Sequence, residues 1–74
     1  MQRTPVQSNN LKSVGYDPAL KLLEIEFLSD HSVWQYHGVP PELYARLMAA
    51  HSRGSFFSRN IRAHPERYDP HRIR

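Results

Sequence analysis

The chain has 74 residues, 39% of them hydrophobic, with ten basic side chains against seven acidic ones, a formal net charge of +3 and no cysteine. At this length one domain is the limit, because folding hides only about 60% of the surface that so short an unfolded chain exposes. The lack of cysteine excludes disulfides, thiolate nucleophiles and zinc–thiolate centres, and a reducing interior such as the cytoplasm is the expectation.

The first ten residues, Met1 to Asn10, are polar, and no long apolar stretch follows, so neither a signal peptide nor a membrane span is expected. A first strand is predicted over Leu11 to Tyr16, closed by Asp17-Pro18, where proline fixes φ and the aspartate can satisfy backbone amides in the turn. From Lys21 to Leu28 the pattern sharpens: Leu23, Ile25 and Phe27 alternate with Glu24 and Glu26, giving a strand with one apolar face. Ser29-Asp30-His31-Ser32 is of hairpin length, and Val33-Trp34-Gln35-Tyr36-His37 reads as a third strand. Three strands joined so tightly predict an antiparallel meander.

Gly38-Val39-Pro40-Pro41-Glu42 changes the local rule, since Pro41 suits a first helical position and Glu42 complements the helix dipole. A helix to about His51 follows, with Leu43, Leu47 and Ala50 in one stripe, Tyr44 and Met48 widening it, and Glu42, Arg46 and Arg53 opposite. Gly54 is placed to end it in a left-handed conformation. Ser55 then caps a second short helix from Phe56 to about Ala63, which stops before Pro65 and sets Phe57 and Ile61 one turn apart, with Arg59 and Arg62 projecting away from them. The expectation is an α+β domain over residues 1–68, a three-stranded meander followed by two helices. Residues 69–74 would be a basic, flexible tail, with Tyr68 a candidate anchor to the body.

The charge is uneven. Residues 1–40 set Arg3, Lys12 and Lys21 against four carboxylates, whereas residues 41–74 set seven arginines against three. Arginine's planar fork suits phosphates and aromatic faces, so an anionic partner is indicated. Arg46, Arg53, Arg59 and Arg62 fall on polar helix faces, and the backbone amides at Ser55 and Phe56 offer a further phosphate cradle. Arg62 has an alternative as the ion-pair partner of Glu24, Glu26 or Asp17. Trp34 and Tyr36, two apart on a strand, leave it on the same side. Their rings either close the core or form a stacking platform for bases. The five histidines lack the close helical spacing of a familiar zinc motif, so no metal site is expected. No cofactor, glycine-rich phosphate loop or catalytic triad is indicated.

The ordered series Ser13-Val14-Gly15-Tyr16-Asp17, Leu23-Glu24-Ile25-Glu26-Phe27, Val33-Trp34-Gln35-Tyr36, Gly38-Val39-Pro40, Leu47-Met48-Ala49-Ala50, Ser52-Arg53-Gly54 and Asn60-Ile61-Arg62 resembles the KTSC domain. That family is named for its occurrence at the C-terminus of some lysyl-tRNA synthetases and is found also as small stand-alone bacterial and phage proteins. The family's tyrosine-x-tyrosine signature falls on Trp34 and Tyr36, with tryptophan replacing the first tyrosine. The Ser29–Ser32 turn lacks the glycine usual there, and Phe56-Phe57-Ser58 stands where Tyr-Phe-Asn is common. Through the synthetase association the resemblance implies RNA binding, but the chain carries nothing of a synthetase catalytic core. Two readings of function follow: a non-catalytic RNA or nucleic-acid binding module using Arg46, Arg53, Ser55, Arg59, Arg62, Trp34 and Tyr36, or an accessory module that docks a larger protein partner through an aromatic hot spot.

Overall fold

The computed structural model describes residues 1–74. Five strands, β1 (Thr4–Pro5), β2 (Leu11–Asp17), β3 (Leu22–Phe27), β4 (Val33–His37) and β5 (Pro70–Arg72), form one antiparallel sheet in chain order. The helices are α1 (Pro41–Ala49), α2 (Arg53–Phe57), which runs on as a π-helical segment over Ser58–Arg62, and α3 (Pro65–Tyr68). No helix is long and apolar enough to cross a membrane.

The α+β class and the central meander are as expected, and the strand and helix counts are not. β1 and β5 are edge strands of two and three residues, each containing proline, too short to show a period. The tail expected to be flexible is β5, held at Trp34↔Arg72, Gln35↔His71 and Tyr36↔Pro70. α2 begins three residues early: Ser52, not Ser55, is its N-cap, and Gly54 lies inside the helix, buried against Ser8 and Asn10. The chain instead leaves α1 through an extended Ala50. In the Ser29–Ser32 turn His31 itself takes the left-handed position at φ 59°, where a glycine would be at ease.

Register sorts the side chains. Val14, Ile25 and Trp34 lie abreast, as do Tyr16, Leu23 and Tyr36, on the face covered by the helices. The core joins Leu11, Val14, Leu23, Ile25, Phe27, Tyr36 and Val39 to Leu47, Phe57, Ile61 and Tyr68. Phe57 meets Tyr36 edge-on at 5.1 Å between ring centroids.

The opposite face carries Ser13, Gly15, Glu24, Glu26 and Gln35, and the N-terminal segment crosses it. Arg3 donates to Ser13 Oγ at 3.0 Å and pairs with Glu24, while its second guanidinium nitrogen is 3.9 Å from Glu26. Gln35 donates to Glu24 at 3.0 Å and Ser13 donates to Glu26 at 2.9 Å. Arg3 thus serves both glutamates, with Lys12 and Arg74 also within 4 Å of Glu26, and Arg62 takes no part. A Cβ on Gly15 would stand 2.6 Å from the Gln2 carbonyl oxygen, so this crossing requires glycine. Arg3→Ala should cost about 2 kcal/mol by stranding Glu24, whose side chain is only 5% exposed. Gly15→Ala should cost about 1–3 kcal/mol by lifting the same segment. Since both act through Arg3, the double variant should lose less than the sum in chemical denaturation.

The network also sets the response to acid. The hydroxyl of Ser13, helped by the charges of Lys12, Arg3 and Arg74, holds the Glu26 carboxyl below its ordinary 4.5. Asp30 is likewise held low by its hydrogen bonds from Ser32. The unfolded chain therefore takes up these protons first as pH falls, so this stabilisation is complete above the ordinary carboxylate range and is lost on acidifying through the folded values. Thermal melts should show Tm falling below about pH 4.5, with a shallower fall in Ser13→Ala.

Candidate functional site

Trp34 and Tyr36 share a face but not an environment. Tyr36 lies opposite Leu23 and beneath Phe57 and is 4% exposed. Burial pushes its hydroxyl pKa up, against the pull of nearby Arg62. Trp34 lies between Ile25 of β3 and charged Arg72 of β5 and remains half-buried, its indole Nε1–H donating to Ser32 Oγ at 3.2 Å. Arg62, at the end of the π segment, rests over the Phe27 ring with its guanidinium carbon 5.2 Å from the centroid. Phe27, Trp34, Tyr36, Arg62 and Pro70 together line a recess of about 120 Å³.

Two further recesses continue from it. One of about 320 Å³ shares Phe27 and Arg62 and adds Asn9, Asn10, Leu28 and Ser29. The next, of about 400 Å³, shares Asn9 and is wholly polar, lined by Gln7, Ser8, His51, Ser52 and Arg53. The three adjoining recesses, linked through these shared residues, follow one another as a candidate groove from the start of α2 to Trp34, with an arginine near each end and no carboxylate among the lining residues. Arg53 Nε is buried without a hydrogen-bond partner in the protein.

The structure thus brings together Trp34, Tyr36, Arg62 and, along the groove, Arg53. Arg46 lies elsewhere, over the Phe56 ring at 5.6 Å, while Ser55 and Arg59 are exposed outside the groove lining. The amide cradle expected at Ser55 and Phe56 does not exist. Ser55 N–H donates to Ser52 Oγ and Phe56 N–H to the Ser52 carbonyl, which leaves neither amide free. Asn9, Asn10, His51, Phe27 and Pro70 are among the groove residues that sequence reasoning missed. Only the fold of the polar N-terminal segment and the docking of β5 bring them there, and no local pattern signals either.

The largest recess, about 670 Å³, lies beside the stacked Tyr16–Tyr44 pair, whose ring centroids are 4.4 Å apart. Asp17 is its only charged side chain. The four groups with displaced pKa values, Tyr16, Glu26, Asp30 and Tyr36, do not meet in one cleft.

The chain matches the KTSC domain family over residues 7–68. It is 40% identical over 68 residues to an uncharacterized protein of Stutzerimonas stutzeri, covering 92% of this chain and 94% of that one. A protein of Tsukamurella paurometabola is 40% identical over 52 residues, 70% of this chain and 76% of its own length. Among solved structures, a KTSC domain protein from Yersinia pestis superposes with a TM-score of 0.88 at 37% identity, covering 99% of this chain and 97% of that one. With sequence and fold in agreement over nearly the whole length, the chain belongs to the KTSC domain family.

Proposed function

We propose that the protein is a non-catalytic module that binds single-stranded RNA along the groove between Arg53 and Trp34. The observation that carries this reading is the groove's composition: two arginines, several neutral amides, a half-buried tryptophan and no carboxylate. Arg53 and Arg62 neutralise phosphates, and a base stacks at the half-buried Trp34 beside Arg62. Tyr36 serves as the floor of that recess and does not stack, because its ring is spent on the core.

Trp34 is the only tryptophan in the chain, so its fluorescence reports the recess directly. Titration with a short single-stranded RNA at low salt should quench it to saturation. Two phosphate contacts predict a slope of log K against log salt of about −1.4, from about −0.7 per contact on single strands. Unchanged fluorescence at low salt, or quenching that ignores salt, would sink the proposal.

A further inference from the structure

We propose that His37, Asp69 and His71 form a binding site for one divalent first-row transition ion, for which zinc(II) is the probe. The site arises from pairing across the β4–β5 ladder. Gln35 lies opposite His71 and Tyr36 opposite Pro70, so the next position along β4, His37, comes opposite Asp69. Alternation along each strand then puts His37 and His71 on the sheet face turned away from the helices. Asp69, the left-handed C-cap of α3 at φ 36°, is where the chain turns into β5.

A ring nitrogen of each histidine and a carboxylate oxygen of Asp69 all lie within 4.8 Å of one another. His71 Nε2 is 3.0 Å from Asp69 Oδ2, and the two imidazoles stand edge to face with centroids 5.1 Å apart. Zinc binds nitrogen and oxygen at about 2.0–2.2 Å, so neighbouring donors around one ion stand about 3.0–3.5 Å apart. The Asp69–His71 pair already has that spacing, and a small rotation of exposed side chains brings in His37. Two imidazoles and one carboxylate are a donor set for zinc, nickel or copper rather than for calcium or magnesium, which take oxygen ligands.

The supporting bonds suit the role. His37 Nδ1 lies 3.0 Å from the Asp69 carbonyl oxygen, which can only accept, so Nδ1 carries the proton and Nε2 keeps its lone pair for a metal. Asp69 N–H donates to the Pro65 carbonyl at 3.0 Å, which fixes the turn. Because the ligands come from β4, the end of α3 and β5, no short motif in the sequence announces them. A bound ion would clip β5 to β4 and hold Pro70, which lies between two of the ligands, against the Trp34 recess.

Calorimetric titration of the full chain with zinc(II) at neutral pH, in the absence of RNA, tests this. The expected result is a saturable 1:1 isotherm and a rise in Tm with zinc concentration. His37→Ala and His71→Ala should each weaken binding by at least about tenfold, whereas His31→Asn, which removes a histidine in the β3–β4 turn and keeps a residue tolerant of its positive φ, should leave it unchanged. All three histidines are exposed, so the variants should fold, and circular dichroism would verify it. No saturable heat, or an affinity unaltered in the His37→Ala/His71→Ala double variant, would overturn the assignment.

Discussion

Phe57→Ala should lower stability by about 3–5 kcal/mol, the cost of emptying a fully packed aromatic site. Phe57 is 0% exposed and is the point where the helical layer meets the sheet, edge-on to Tyr36 and tilted 57° against Phe27 at 5.8 Å. A domain of this length holds only about 4–11 kcal/mol in total, so the variant should melt more than about 12 °C lower or fail to fold. The neighbouring Phe56 is half-buried, with Arg46 over its ring, and Phe56→Ala should cost less than half as much. Equal losses in the two variants, by urea denaturation, would mean that the helix presents a different face to the sheet.

The second large effect concerns binding. Trp34→Ala should weaken single-stranded RNA by about 5- to 150-fold, the equivalent of 1–3 kcal/mol for one lost base stack. Trp34→Phe should recover part of it, because a smaller ring still offers a π-face. Arg62→Ala should weaken binding and make the salt slope shallower by about 0.7, and Arg53→Ala should do the same at the other end of the groove. Arg46→Ala is the matched control, equal in charge lost but placed outside the groove. If it weakened binding as much as Arg62→Ala, only the overall charge would matter and the groove would have no role.

The parts legible in the sequence were those with a period. Alternating Leu23, Ile25 and Phe27 gave β3 and its inward face, and the Leu43–Leu47 stripe behind Pro41 gave α1. Phe57 and Ile61, one turn apart in the sequence, do share one buried side even though the turns between them are π-helical, since either helix type keeps them together. What escaped has no local signature. β1 and β5 exist because the meander leaves both its edges open to pairing, and their sequences say nothing of it. Arg3 lies ten residues from Ser13 and twenty-one from Glu24 along the chain, and only the closeness allowed by Gly15 lets it reach both. The choice between core and platform for Trp34 and Tyr36 could not be made from their spacing. It depends on which strand flanks β4, and β5 sets Arg72 opposite Trp34 and Pro70 opposite Tyr36.

The most direct test of the RNA-binding reading is an amide and indole chemical-shift titration of the protein with a short single-stranded RNA at low salt. The Trp34 indole N–H, Arg62, Asn9, Asn10 and Arg53 should shift together along one saturation curve, while Gly15 and Gln35 on the opposite sheet face stay still. Shifts centred on that opposite face, on the Tyr16–Tyr44 recess or nowhere at all would contradict it.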